Sequence, residues 1–327
     1  MTGAKTGRRR PLRLGTRRSA LALAQAGAVA DALRARGWPV ELVEVTTHGD
    51  VSGAALADIG GTGVFVGALR EALFAGTVDV AVHSLKDLPT RPVEGPAGGS
   101  GDGLVLAAVP PREDPRDVLV GRGGATLTDL PPGARLGTGS PRRAAQLRAL
   151  GLGLDVVPVR GNVDTRLRLV AEGHLDGVVL ARAGLARLGR LDVVSETFAP
   201  TQLLPAPGQG ALALECRAGD GGPDPEIRQL LGDLDDAPTR AAVTAERALL
   251  AALEAGCTAP VGALAEPAEG EHGPELYLRA AVVAVDGAAS VRLSTTGSLD
   301  EAASTGHRLA AALLADGAAS LMGERVP

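Results

Sequence analysis

The tetrapeptide Arg13-Leu-Gly-Thr16 returns as Arg135-Leu-Gly-Thr138, and each copy runs into a serine followed by a helical pattern. A second echo comes in the same order. Asp79-Val-Ala-Val-His-Ser-Leu-Lys-Asp-Leu88 resembles Asp176-Gly-Val-Val-Leu-Ala-Arg-Ala-Gly-Leu185. Two echoes in one order suggest two α/β lobes of related topology. A chain of 327 residues has room for them and for a third domain. In the alignment of the echoes, Ala183 and Gly184 stand where Lys86 and Asp87 stand, so only the first copy carries the acid.

That acid lies in Val78 to Thr90, the stretch around which the chain is organised. Val78, Val80 and Val82 alternate with Asp79, Ala81 and His83, the period of a strand, and Pro89 cannot continue a central ladder. Ser84, Lys86 and Asp87 therefore sit at the carboxyl end of a strand, where open α/β sheets place their ligands. Lysine occurs only at Lys5 and Lys86, although the chain has 33 Lys plus Arg. A site that takes lysine in so arginine-rich a chain reads as needing an ammonium rather than a guanidinium. The competing reading is a solvated Lys-Asp pair on a loop.

Composition narrows the partners. Hydrophobic residues at 45% and charged residues at 22% are those of a soluble globular protein. Aromatics at 2% leave the cores to Leu, Val and Ala and exclude a stacking platform for single strands. The formal net charge of -5 also speaks against a general nucleic-acid binder. Cys216 and Cys257 form neither a CxxC pair nor a zinc spacing, so a reducing compartment is expected and no metal. Arg8 to Arg10 begin a basic tail. No run is long and apolar enough to span a bilayer.

The remaining elements follow in order. Leu12–Thr16 reads as a strand. A helix follows, capped by Ser19 and stopped by Gly37. Val40–Thr46 is a second strand, His48–Gly63 a Gly-rich lid, Val64–Ala75 a helix, and Leu104–Val109 a strand. PPREDPRD, from Pro110, reads as a hinge. Pro238–Glu254 is a strong helix, Asp286-Gly287 a hairpin turn between two strands, and Leu299–Leu314 a last helix.

Arginines concentrate in the second lobe: from Arg135 to Arg190 there are ten, against Asp155, Asp164, Glu172 and Asp176. A basic lobe in an acidic protein points to an anionic ligand. Gly137-Thr138-Gly139-Ser140-Pro141-Arg142-Arg143 is a compact anion site, with Ser140 as N-cap and Pro141 at the first helical position. Free N–H groups at that helix start, with two planar forks beside them, suit carboxylate or phosphate. Thr16-Arg17-Arg18-Ser19 is a smaller version, and Arg160-Gly-Asn-Val-Asp-Thr-Arg166 adds two arginines after a strand. Ordinary capped helices are the alternative for each, and solvated helix faces account for Arg148, Arg168 and Arg190. Cys216 lies in an apolar strand-like run, as a buried thiol would. Cys257 follows a helix end on a loop, where a thiol can be a nucleophile or an attachment point.

Taken in order, LGTRRSALAL, GGTGVF, AVHSLKDLP, REDPRDV, GTGSPRR, RGNVDTRL, AGLARLG, LPAPGQGALALECR and TAERALLAALEAGC resemble the porphobilinogen deaminase (hydroxymethylbilane synthase) family over nearly the whole chain. The resemblance implies an α/β fold: two periplasmic-binding-protein-like lobes plus a C-terminal α+β domain. The first lobe would take 11–110 with 208–228, the second 116–204, and the last domain 233–327. It implies a cytoplasmic, monomeric transferase that joins four porphobilinogen units head to tail with release of ammonia, giving the linear tetrapyrrole hydroxymethylbilane. The primer would be a dipyrromethane cofactor in thioether linkage to Cys257. The partner would be a small polycarboxylate, with neither nucleic acid nor membrane.

Carried over residue by residue, Asp87 is the catalytic carboxylate, with Lys86 beside it. Arg17, Ser19, Ser84, Lys86, Thr138, Gly139, Ser140, Arg142, Arg143, Arg160, Arg166 and Arg187 match contacts to the cofactor and to the acetate and propionate groups. Phe65 matches a residue that packs on pyrrole rings. Two positions depart from the family pattern. Thr62 replaces a lid lysine, and Gly139 replaces a serine. From the residues alone, a two-lobed polycarboxylate receptor without turnover is the alternative. It would need the arginines but neither Asp87 nor Cys257. A phosphate-binding transferase fits less well, because no phosphate loop is present.

Overall fold

The computed structural model describes residues 10–46, 63–91, 103–219, 222–255, 259–270 and 273–322. Cys257, Thr62, the side chain of Phe65, and most of the loops read at His48–Gly63 and Glu94–Gly103 lie outside the described residues. The strands are β1 (Leu12–Arg17), β2 (Val40–Val45), β3 (Val80–Ser84), β4 (Leu104–Ala108), β5 (Asp117–Gly121), β6 (Arg135–Thr138), β7 (Asp155–Pro158), β8 (Gly177–Ala181), β9 (Glu196–Thr197), β10 (Leu212–Arg217), β11 (Val261–Gly270), β12 (Gly273–Val283) and β13 (Ser290–Ser298).

Three sheets result, with orders β2-β1-β3-β10-β4, β7-β6-β8-β5-β9 and β11-β12-β13. The first two match position by position. In each, a parallel core of three strands (β2-β1-β3, β7-β6-β8) is extended by a strand from elsewhere in the chain, antiparallel to the edge strand beyond it. The duplication read from the sequence is thus a duplication of topology. Side-chain chemistry repeats as well. The Arg13 N–H donates to Asp79 Oδ2 at 2.9 Å, and the Asp79 N–H returns to the Arg13 carbonyl at 2.9 Å. The Arg135 N–H donates to Asp176 Oδ2 at 2.8 Å, and the Asp176 N–H returns to the Arg135 carbonyl at 2.9 Å. The equivalent Asp-Arg pairs pin β1 to β3 and β6 to β8.

By contacts the described residues form two compact units. One comprises 10–83, 103–109 and 212–235; the other comprises Ser84–Arg91, Pro110–Ala211 and everything from Asp236. Within the first unit, helix Ala20–Ala35 covers one face of the sheet through Leu33, Ala30 and Val29 against Leu12, Leu14, Val80 and Val82. Helix Gly63–Phe74 covers the other through Leu69 and Leu73 against Val78 and Ala81. The strand alternation in β3 therefore sorts residues between two buried faces, as in parallel sheets generally, and does not mark a solvated side. Buried Asp79 and His83 are accommodated because Arg10 and Arg13 pair with the first, and Glu215 lies 3.4 Å from the second. Ser19 caps its helix by accepting the Ala22 N–H, and Gly37 ends it at φ +78°, as expected.

In the second unit β5 is buried along its whole length. Val118, Val178 and Leu180 face helix Val163–Ala171, while Leu119 and Val179 face Leu147 of helix Pro141–Ala149. The C-terminal sheet packs one face on helices Ala237–Ala252 and Ala302–Ala315. β11 had no counterpart in the sequence reading. Its Pro267 breaks a central-strand pattern but is tolerated at a sheet edge.

One reading needs correction. Arg148 is exposed, as read, but it is not merely solvated. It donates to the Val285 carbonyl at 2.8 Å and to the Val156 carbonyl at 3.3 Å, tying the β12–β13 hairpin to the second sheet. Gly287, at φ +81°, makes this approach possible, because a Cβ there would sit 2.6 Å from Ala149 N and 2.7 Å from Arg148 Cβ. Gly287→Ala is expected to lower stability by about 1–3 kcal/mol, measured by chemical denaturation. The same change at Gly317 (φ +90°), where a Cβ meets nothing within 4 Å, should cost less.

Candidate active site

β3 runs directly into a single turn of 3₁₀ helix, Leu85–Asp87. Buried Leu85 anchors this turn, and its N–H donates to the Ala211 carbonyl at 3.0 Å. Beyond it, Arg247 holds the carbonyls of Leu88 and Pro89 at 2.9 and 2.7 Å. The backbone under Lys86 and Asp87 is therefore braced on both sides. Their side chains part company. Asp87 is exposed, whereas the Lys86 ammonium turns inward and donates to Gln209 Oε1 at 3.4 Å. A solvated Lys-Asp pair does not describe this arrangement.

Gln209 leads to a buried charge cluster. Asp117, the first residue of β5, is fully buried. Arg142 Nη2 lies 2.7 Å from Asp117 Oδ2, and Arg143 Nη2 lies 2.8 Å from Oδ1. Gln209 Nε2 donates to Oδ1 at 2.8 Å and to the Pro115 carbonyl at 2.6 Å, while Gln209 Oε1 accepts from Arg143 Nη2 at 3.3 Å. Arg142 also donates to the Leu204 carbonyl at 2.5 Å, and Arg143 to the Val179 carbonyl at 3.2 Å. Both guanidiniums, read from sequence as forks facing an anion, are buried and largely committed to protein partners. Ser140 caps the helix by accepting the Arg143 N–H, and Pro141 is its first residue, as read. Thr138 is buried, and its Oγ accepts the Ser140 N–H at 3.2 Å.

Charge is not balanced here. Burial alone would raise the Asp117 carboxyl, but Arg142 and Arg143, with hydrogen bonds from Arg143 and Gln209, hold it down at about 2. Burial lowers the Lys86 ammonium to about 8. Asp87 and Asp117 oppose this, and Arg143 and Arg142 reinforce it. Arg166 is pushed down by burial and by Arg143, and its Nε is buried with no hydrogen-bond partner among the described residues. Three cations around one buried carboxylate, with Arg166 close by, leave a positive field that an added anion would relieve. Arg187 reaches the Gly210 carbonyl at 2.6 Å, and its pKa is lowered, first by burial. Gly139 closes on the Val159 carbonyl so tightly that a Cβ would sit 2.7 Å from the oxygen and 3.3 Å from Arg166 Nη2.

The second unit thus gathers Ser84, Lys86, Asp87, Thr138, Gly139, Ser140, Arg142, Arg143, Arg166 and Arg187. Arg160 is exposed, just beyond β7. Arg17 and Ser19 belong to the first unit, at the end of β1 and the start of its helix. Phe65 lies in helix Gly63–Phe74. Sequence reading missed Asp117, Gln209, Arg112 and Glu246. A signal existed for the first: one acid at the head of a wholly apolar strand, DVLVG, demands a buried cation. PPREDPRD is correspondingly no loose joint within its unit. Arg112 makes a two-pronged pair with Glu246 at 2.7 and 3.0 Å.

Two measurements follow. With lysines only at Lys5 and Lys86, reductive ¹³C-methylation should label those two ammoniums and the α-amino terminus, and the Lys86 signal is the one that titrates near 8 and vanishes in Lys86→Arg. Because folding lowers this pKa from 10.5, charged Lys86 penalises the fold below about 8, and the penalty lifts as pH rises from 8 towards 10.5. For Asp117 stability also rises with pH, but as a gain rather than a penalty lifted: its contribution is present above 3.8 and is lost as pH falls through about 2. Asp117→Asn should cost about 3–5 kcal/mol in denaturant unfolding, since it leaves two buried cations uncompensated.

Comparison with known proteins finds one family over nearly the whole chain. Residues 12–222 match the family model "Porphobilinogen deaminase, dipyromethane cofactor binding domain", and residues 240–315 match "Porphobilinogen deaminase, C-terminal domain". Porphobilinogen deaminase 1 of Streptomyces coelicolor is 58% identical over 324 residues, covering 96% of this chain and 98% of the relative. Porphobilinogen deaminase of Mycobacterium tuberculosis is 56% identical over 316 residues, covering 95% and 98%. Among solved structures, a nutrient binding protein from Burkholderia cenocepacia bound to methionine has TM-score 0.41 at 14% identity, covering 68% of this chain and 90% of that one. With matched models over both parts of the chain and relatives at this identity along nearly its full length, the chain belongs to the porphobilinogen deaminase family.

Proposed function

We propose that Asp87 is the catalytic carboxylate with which this chain joins four porphobilinogen units head to tail, releasing ammonia at each addition and finally hydroxymethylbilane. The observation that carries the assignment is the contrast between the two acids acting on Lys86. Asp117 is buried and spent on two arginines, whereas Asp87 is exposed on a braced turn. Asp87 is the carboxylate free to accept pyrrole N–H groups and to stabilise the cation that develops on porphobilinogen as ammonia departs. That is electrostatic catalysis at a fixed position. Lys86 and the cations behind it favour the acetate and propionate groups of the substrate.

The donor set fits a dipyrromethane bearing carboxylates: it is cationic, and Arg166 Nε is buried without a partner among the described residues. When bound, that group supplies the pyrrole carbon to which a new unit is added. Cys257 would hold it by thioether. Ser84, Lys86, Thr138, Gly139, Ser140, Arg143, Arg166 and Arg187 would line its carboxylates, and Arg17, Ser19 and Arg160 those of the substrate. Phe65 would pack on the rings. Arg142 and Arg143 act more through the field they create than as open forks, given their commitment to Asp117. The domain division proposed is 11–110 with 208–228, 116–204 and 233–327, in a cytoplasmic monomer. Among the described residues no helix is long and apolar enough to cross a membrane.

Asp87→Ala should fold normally by circular dichroism and form no product; turnover near wild type would remove Asp87 from the chemistry. Cys216 is buried in β10, and burial pushes its thiol up to about 11, which supports Cys257 rather than Cys216 as the attachment point. Peptide mass mapping should find the pyrrole adduct on Cys257 and an unmodified Cys216. A polycarboxylate receptor without turnover would show neither adduct nor ammonia release.

A further inference from the structure

The turn Pro207-Gly208-Gln209-Gly210 is fixed from several sides. Glu246, on helix Ala237–Ala252, has no exposed surface and carries four hydrogen bonds. It accepts the Gly208 N–H at 2.6 Å, the Ala265 N–H at 2.8 Å, and both ends of the Arg112 guanidinium. Arg112 Nε in turn donates to the Gln209 carbonyl at 2.8 Å. Gly208 and Gly210 have φ of +74° and +88°. A Cβ on Gly208 would lie 3.2 Å from Lys86 N, and one on Gly210 would lie 2.3 Å from the Glu113 carbonyl oxygen. The turn therefore lies directly against the backbone of Lys86.

We propose that Gln209 is a positioning residue for Lys86, and that Glu246 of the C-terminal domain, through Gly208 and Arg112, sets where Gln209 stands. The amide orientation follows from its partners. Nε2 faces two acceptors, Pro115 O and Asp117 Oδ1, so Oε1 is left to face the cations Lys86 and Arg143. A neutral side chain here separates Lys86 from Asp117 while giving the ammonium an oxygen. The segment bearing the attachment cysteine continues from the same helix as Glu246, so one buried carboxylate braces the catalytic turn from the domain that would hold the growing product. This extends the reading of Lys86 and Asp87 given above and rests on it.

The Lys86 ¹³C-methyl signal tests the link without any assay of activity. Among the described residues, Asp87, Arg143, Asp117 and Arg142 are the main charges acting on that ammonium. Gln209→Leu removes the facing oxygen and should shift the Lys86 titration down by about one unit. Gln209→Glu adds a carboxylate and should shift it up by at least as much. Glu246→Gln keeps the shape but loses the paired charge. It should also move the Lys86 titration, though the substituted side chain is not Lys86's own partner. Turnover in Gln209→Leu should fall roughly tenfold to a hundredfold, in kcat more than in KM. If Lys86 titrates at its wild-type pH in folded Gln209→Leu and Gln209→Glu, the positioning role is overturned. If it shifts as expected while turnover stays at wild type, the link stands and the catalytic reading of the Lys86 turn fails.

Discussion

A buried carboxylate between two buried guanidiniums underlies the second half of this protein. Asp117 cannot be protonated near neutral pH because Arg142 and Arg143 hold it ionised, and neither arginine could remain inside without it. Charges in so dry a place must be saturated with hydrogen bonds. The Leu204 and Val179 carbonyls and the Gln209 amide, itself held by the Pro115 carbonyl, supply most of those bonds, while Arg142 Nε stays buried without a partner among the described residues. The requirement fixes the head of β5, the start of helix Pro141–Ala149 and the Gly208–Gly210 turn relative to one another. It also leaves excess positive charge. Lys86 pays for its place there with a lowered pKa, and the region becomes receptive to carboxylates.

The two α/β sheets show how one topology diverges into different tasks. β3 and β8 occupy the same place, and the same aspartate–arginine lock starts each. After β3 the chain makes one 3₁₀ turn bearing Lys86 and Asp87. After β8 it makes a longer helix, Arg182–Arg187, in which buried Ala183 stands at the position of Lys86. A small apolar residue there packs the helix down. The shorter turn after β3 leaves Asp87 exposed while Lys86 turns inward to Gln209.

Gly139 gives a physical reason for one departure from the family pattern. With the Val159 carbonyl where it is, a side chain at 139 would have to displace either that strand end or Arg166. The glycine keeps the backbone N–H next to the Ser140 cap and brings Arg166 close. Loss of a hydroxyl and a close approach by a guanidinium therefore go together at this helix start.

The sequence by itself determined the α/β class, the duplication, the capped helix starts, the hairpin at Asp286-Gly287 and the exposed acid at the end of β3. Each is local: strand period, capping chemistry and turn residues act within a few positions. The family motifs extended that reading to the chemistry. Only the tertiary structure decided what Arg142, Arg143 and Arg148 do, because an arginine in a sequence carries no sign of whether its partner is solvent, a ligand or a carbonyl more than a hundred residues away. Arg148 finds Val285, and Gln209 finds Asp117 and Lys86. Partners so distant in the chain leave no periodicity to read. They are chosen by which polar groups the folded core encloses together, and by the cost of leaving any of them there without a hydrogen bond.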